Sequence, residues 1–455
     1  MRPTLARALP VAQAALGRRR PVVVAHDIWL AAGLHRALPE TALVCISATE
    51  AADVLRDRGT EVFCLAEQIG ADATSGMSSL ELLQHPATAA FFAHLGPTAV
   101  LSFKPSERIA AAVDGLGGSL LASPAGGARA YENKLAFVAA AERAGVPRPF
   151  WEVRQLPSTY AQLTAEFGPT FVVQGARGNA GQRTWPVSSQ AEFDAIPANE
   201  KSARVRVAEY VKGTPFTASG VAFSAPGTGL MRERLPAGVE PCRQVTGVDW
   251  LTPEALGSCG NAWGADELVP YHPEVARCVR ALGADLAANN YRGIFGVDFI
   301  LAEDGPVVIE VNPRMVASLP LATELEVEAG RAPLLLLHML ELLDADLADL
   351  GDDAADAVGM ATQVILHRLP GDSEALPRGG VYQLVRGVPT WVRPGATLQD
   401  IDNDELLLVT RRAGEPVTAR KEFARIVARS PRGEATPGIR ELTAAVRHGA
   451  AAANS

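Results

Sequence analysis

Aromatic residues are scarce, at 6% of the chain, and no apolar run is long enough to span a membrane. The five cysteines, Cys45, Cys64, Cys242, Cys259 and Cys278, are scattered and show no CxxC spacing. That argues against a zinc ribbon and against a disulfide framework, and fits free thiols in a reducing cytosol. Basic residues are outnumbered, with 42 Lys and Arg against 51 Asp and Glu, a net charge of −9. No basic face with interleaved aromatics appears, so nucleic acid is not expected as a partner. No GxGxxG follows the first apolar strand, so a dinucleotide fingerprint is absent. In the opening stretch, 1–20, the basic cluster follows the apolar residues. That is the wrong order for a secretory signal, and a short helix or frayed arm is expected.

What is present describes a globular protein. The 455 residues exceed one ordinary domain, and 48% hydrophobic content supplies ample core, so three or four lobes are expected. Short apolar runs at 21–25, 42–46, 61–65 and 99–103 alternate with helical patterns at 29–38, 51–58 and 107–113. That alternation predicts a parallel sheet with helices on its faces. His26, Asp27 and Ser106 lie near strand ends, where either a substrate contact or a cap is open to them.

The most informative stretch is Gly-Ile-Phe-Gly-Val-Asp-Phe-Ile-Leu at 293–301, followed by Val-Val-Ile-Glu-Val-Asn-Pro-Arg at 307–314. It reads as two strands joined by the breaker-rich turn Glu303-Asp304-Gly305-Pro306. Glu310 and Asn312 are two residues apart and share one strand face, and Asp298 sits mid-way along the neighbouring strand. Two carboxylates and an amide oxygen inside apolar strands resist burial unless something neutralises them. A hard divalent cation does so. Mg²⁺ is usually held by one or two carboxylates together with substrate phosphates, and Arg314, just beyond, can reach a phosphoryl or carboxylate group.

Other features line up around this stretch. Tyr131-Glu132-Asn133-Lys134 is expected to head a helix running to 144, ended by Gly145-Val146-Pro147. A strand at 171–174 leads into the Gly-rich loop 175–184, and a further strand is expected over 205–213. An amphipathic helix is expected at 272–289 and an apolar one at 332–343. After an acidic stretch at 344–356, the chain turns β-rich, with strands at 362–367, 380–385, 390–392 and 406–411. A helix headed by 422–427 is then expected, and disorder from 448 onward.

In this order the motifs resemble the ATP-grasp superfamily. The resemblance implies an α/β fold: a Rossmann-like N-terminal lobe (1–125), an ATP-grasp core of two α+β lobes (126–205 and 206–345), and a small β-rich C-terminal cap (346–455). It implies ATP and Mg²⁺ (or Mn²⁺) as cofactors, with Asp298, Glu310 and Asn312 on the metal and Lys134 on the phosphates. The loop carrying Gly178, Asn179, Ala180, Gly181 and Thr184 would cover the nucleotide, and Glu209, Tyr210 and Val211 would meet the adenine. Most members end the preceding strand with Lys where this chain has Gln174, so Arg177 or Arg183 would supply the missing charge. A second acidic residue, often on the ribose, would fall near Pro215 and is absent. Arg232, Arg234 and Arg243 lie where the resemblance implies a basic residue that stabilises the developing phosphoryl charge.

Carboxylase members carry a catalytic Glu close to where this chain has Ser318. The layout therefore resembles amide-forming ligases of the L-amino-acid ligase kind, with Arg314 holding the carboxylate substrate. The expected partners are a carboxylate and an amine, both small and amino-acid-like. The family often dimerises, so a homodimer is among the expectations. The alternatives are a carboxylase-type or nucleotide-pathway enzyme, or a regulator that binds ATP without turnover.

Overall fold

The computed structural model describes residues 3–157, 159–178, 181–223, 241–347, 350, 358–412 and 422–449. Of residues 125, 126, 129 and 130 it describes the backbone alone.

The N-terminal lobe is a parallel sheet built from β1 (Arg20–Val24), β2 (Ala42–Cys45), β3 (Val62–Cys64), β4 (Thr98–Ser102) and β5 (Gly118–Leu120). Its order is β3-β2-β1-β4-β5, and every pairing is parallel. The strands are near-continuous apolar runs because helices cover both faces. The helix expected at 29–38 is two short ones, Ile28–Ala31 and Leu34–Ala37. Gly33 separates them at φ 105°, and a Cβ there would come within 3.2 Å of Thr323 Cβ. Asp27 and Ser106 prove to be N-caps, their side chains accepting from Leu30 N and Ile109 N. The opening arm is the Leu5–Leu16 helix.

A second, antiparallel sheet contains β6 (Trp151–Gln155), β7 (Phe171–Gln174), β8 (Thr184–Val187) and β9 (Arg204–Glu209), in the order β6-β9-β7-β8. Before it, the chain forms two helices, Ala125–Glu132 and Lys134–Ala144, rather than one headed by Tyr131. Asn133, at φ −84° and ψ 108°, breaks them and caps the second, accepting from Leu135 N. Lys134 is therefore the first residue of its helix. Gly145 ends that helix in the left-handed conformation that glycine adopts without strain.

The third sheet has ten strands: β10 (Thr214–Ala222), β11 (Cys242–Thr246), β12 (Ser258–Trp263), β13 (Gly293–Ala302), β14 (Gly305–Asn312), β15 (Ala361–His367), β16 (Gly380–Val385), β17 (Val388–Arg393), β18 (Glu405–Thr410) and β19 (Glu422–Ala428). Its order is β14-β13-β10-β11-β12-β15-β19-β18-β16-β17. The expected helix headed by 422–427 is instead β19, which pairs antiparallel with both β15 and β18. It is buried on both faces, so its apolar pattern shows no alternation to mark it as a strand. The sheet also runs unbroken through the expected boundary at 345/346, because β12 pairs with β15. Unanticipated helices at Leu319–Glu328 and Ile439–His448 pack against the core through Leu321 and Leu325, and through Ile439, Leu442 and Val446. Residues from 450 onward, expected as a disordered tail, lie outside the described residues.

Candidate active site

The β13–β14 hairpin forms as its sequence suggests, and its register sets the chemistry. Asp298 lies directly opposite Glu310, and Gly296 opposite Asn312. Directly opposed like charges on neighbouring strands repel. Burial, and after it Glu310, push the Asp298 carboxyl up to about 6. Its oxygens accept from Gln244 Nε2 at 2.9 Å and Asn312 Nδ2 at 3.0 Å. Arg314 Nη2 in turn donates to Asn312 Oδ1 at 3.1 Å. Glu310 is ion-paired with Lys134 Nζ. Each residue of the trio thus has at least one oxygen held by a cation or an amide N–H.

The trio also suits a metal. Two carboxylates and an amide oxygen converge at one end of a hairpin, and their mutual repulsion is what a divalent cation relieves. Among the described residues no cluster of three or more His, Cys, Asp or Glu exists, so no all-protein cage is built. A two-carboxylate set matches Mg²⁺, which completes its shell with phosphate and water.

A cavity of about 530 Å³ lies over this end of the hairpin, within the range of small-molecule sites. Its walls combine Trp151, Val172 and Gln174 of the four-stranded sheet, Phe299, Ile300 and Ile309 of the hairpin, and Lys104 beyond β4. Lys134, Glu209, Tyr210, Val211, Thr184, Gly178, Gly181, Arg314 and Ser318 all line it. The structure therefore gathers most of the residues singled out in the sequence around one space. Asn179, Ala180, Arg232 and Arg234 lie outside the described residues.

The local geometry explains several positions. The Gly-rich loop is tied to the helix start, because Lys134 N donates to Ala176 O at 3.0 Å. Gly181, at φ 81°, lies so close to residue 256 that a Cβ would come within 2.9 Å of Leu256 O. Glu209 ends β9, and its carboxylate accepts from Phe150 N at 2.8 Å, anchoring the strand that presents Tyr210 and Val211. Ser318 is buried at the cavity wall and precedes the Leu319–Glu328 helix.

Three expectations about arginines change. Arg183 turns to Glu200, at 2.7 Å, and Arg177 is exposed, so neither stands in for a lysine at Gln174. Arg243 donates to Arg432 O at 2.9 Å and pairs with Glu434, and it does not line the cavity. The cation beside Gln174 is Arg206 on β9, its register partner. Arg206 Nε donates to Gln174 Oε1 at 2.9 Å and Nη1 to Ile309 O at 3.1 Å. The guanidinium lies 4.7 Å from the centre of the Trp151 ring. An arginine between Val205 and Val207 in β9 was the available signal, but its relation to Gln174 depends on which strands pair. Lys104 was also missed. Burial, and then Arg314, hold its ammonium below the usual range.

Residues 131–318 match the family described as an ATP-grasp domain. The chain carries an ATP-grasp domain over these residues. No curated protein sequence matches it. The ATP-grasp fold is shared with the biotin carboxylase domain of Hydrogenobacter thermophilus 2-oxoglutarate carboxylase, solved with MgADP, ADP and bicarbonate. The two are 12% identical over 90% of this chain and 86% of that one, with a TM-score of 0.59. Biotin carboxylase from Campylobacter jejuni, in a complex with an ATP compound, is similar at 13% identity over 90% of this chain and 87% of that one, TM-score 0.55. An ADP complex of purK, N5-carboxyaminoimidazole ribonucleotide synthetase, is similar at 13% identity over 93% of this chain and 95% of that one, TM-score 0.53. At these identities the likeness is one of fold.

Proposed function

We propose that this protein is an ATP-dependent carboxylate–amine ligase that forms an amide bond and releases ADP and phosphate. The observation that carries the reading is the Asp298–Glu310–Asn312 trio facing Lys134 at one end of the cavity. In this reading the trio holds Mg²⁺ against the ATP phosphates. The metal would offset phosphate charge during transfer. Lys134 and the Gly-rich loop hold the phosphate chain in line, and the segment after Glu209 meets the adenine. Arg314, with Lys104 nearby, receives the substrate carboxylate.

The chemistry then has two steps. A carboxylate oxygen attacks the γ-phosphorus and the bond to ADP breaks, giving an acylphosphate. An amine nitrogen attacks the acyl carbon, phosphate leaves, and the amine loses its proton. The protein contributes position, charge and exclusion of water. Ser318 favours amide formation over bicarbonate activation, because the carboxylases of this superfamily use an acid near that position. Arg206 speaks against the regulator reading, since it restores a cation beside Gln174.

The test is phosphate release from ATP and Mg²⁺ against single amino acids and pairs of them, with products read by mass spectrometry. Release that depends on one pair, with an amide product, is expected. Release driven by bicarbonate would move the protein to the carboxylases, and ATP binding without release under any condition would move it to the regulators.

A further inference from the structure

Arg206 is buried at 1% exposure in the cavity wall, and among the described residues no carboxylate lies within ion-pair distance of it. Its partners are two neutral oxygens, Gln174 Oε1 and Ile309 O. A buried guanidinium bound only to neutral acceptors keeps its full charge to be balanced. The nearest electrostatic relief is Glu310, which is already ion-paired with Lys134. Arg206 and Lys134 therefore draw on the same carboxylate at the edge of the cavity, and Arg206 has no ion-pair partner of its own among the described residues.

The placement is built rather than incidental. Gln174 and Arg206 are register partners on β7 and β9, and Gln174 Oε1 accepts from two nitrogens of the guanidinium. Trp151 lies against the guanidinium, and Ile309, which precedes Glu310, fixes its third nitrogen. Gln174 Nε2 reaches toward Thr184 Oγ1 at the end of the Gly-rich loop. The side chain is held from three sides, so little rotamer entropy remains to be lost on binding.

We infer that Arg206, oriented by Gln174, is a cationic contact for the nucleotide's phosphate chain, and that this chain has moved that charge from the end of β7 to the neighbouring strand β9. The inference rests on the ATP-binding part of the reading above. Once a divalent cation takes Glu310, Arg206 and Lys134 both lose their shared counter-charge, and the phosphates replace it. Gln174 is a positioning residue in this scheme, since it acts through the guanidinium.

The experiment measures binding of ADP with Mg²⁺, and separately of adenosine, to the full chain by calorimetry. Wild type is expected to bind both. Arg206→Met is expected to bind ADP roughly tenfold or more weakly, the scale of one charge-assisted hydrogen-bonded contact, while adenosine affinity stays within about twofold. The double variant Gln174→Lys with Arg206→Met, which returns the charge to β7, should recover most of the ADP affinity. If Arg206→Met does not fold, the double variant decides alone: a retained preference for ADP over adenosine supports the inference, and its loss overturns it. ADP binding at wild-type strength in Arg206→Met, or an equal loss for ADP and adenosine, overturns it too, the second because Arg206 would then be wall packing. A wild-type protein that binds neither ligand would instead sink the ATP-grasp ligase reading itself, so the two failures are distinct.

Discussion

Asp298 is where sequence and site chemistry meet most directly at the scale of single residues. Its carboxyl is pushed up to about 6, first by burial and then by Glu310 across the strand pair. A raised acid binds its proton more tightly in the folded than in the unfolded protein. Its stabilising contribution is therefore complete below the unfolded pKa and is lost as pH rises through about 6. Without metal, Asp298→Asn should be more stable than wild type at pH 8, by on the order of 1–3 kcal/mol, and the gain should vanish only below the unfolded value, at about pH 3.5. Gln244, only half-buried, can turn its amide to suit the new side chain. MgADP should raise the melting temperature of wild type but not of the variant. Thermal melts at the two pH values check this, and a variant less stable than wild type at pH 8 would refute it. The trio was legible because its residues sit on two strands joined by a short turn, so spacing alone brings them together. Arg206 was not, because it meets Gln174 only through the pairing of β9 with β7, some thirty residues apart.

The same contrast holds for whole elements. Strands with apolar runs bounded by Gly, Pro and Asn were legible at β1 to β4, β7, β9 and β13 to β18. β19 was misread because burial on both faces removes the alternation that distinguishes a strand. β11 and β12 escaped because they are short and flanked by Gly and Pro, and the Leu319–Glu328 helix because it is buried nearly all round, Glu324 and Glu326 included, so no apolar stripe marks it. That helix carries a second testable acid. Glu324 is buried, and its Oε2 accepts from Leu398 N at 2.6 Å while Oε1 has no hydrogen-bond partner. Burial is the main cause raising it to about 7, against the pull of the Leu398 N–H and Arg36. Its stabilising contribution is complete below the unfolded value and falls away as pH climbs through 7. Glu324→Gln keeps an oxygen for Leu398 and removes the ionisation. It should leave stability at about pH 4 nearly unchanged and raise it by about 1–3 kcal/mol at pH 8.5. Urea unfolding at both values measures this, and an equal effect at both would mean that packing, not charge, dominates.

At the scale of the molecule, local patterns do not show where one sheet continues into a distant segment, because such joints are made by residues far apart in the chain. The C-terminal segment reads as a separate cap, yet β15 adds to β12 by antiparallel pairing from Gly260↔Val364 to Trp263↔Ala361. It is also tied to the parallel lobe, by Arg58 on Asp400 at 2.6 Å and by Arg412 on Asp53 at 2.5 Å. These ion pairs are half-exposed and worth little singly. The sheet pairing is different. Ending the chain at 345 would strip β12 of its neighbour and leave a strand edge that is now buried open to other chains. It would also uncover Gln363's partners, Trp29 Nε1, Asn261 Oδ1 and Ala317 O, which meet immediately behind the cavity. A protein comprising residues 1–345 should therefore be recovered mainly as aggregate, and any soluble fraction should bind MgADP far more weakly than the full chain. Size-exclusion chromatography and calorimetry decide the matter. A monomeric 1–345 fragment with full nucleotide affinity would show that the ten-stranded sheet is two sheets in contact, with the ATP site complete in the first.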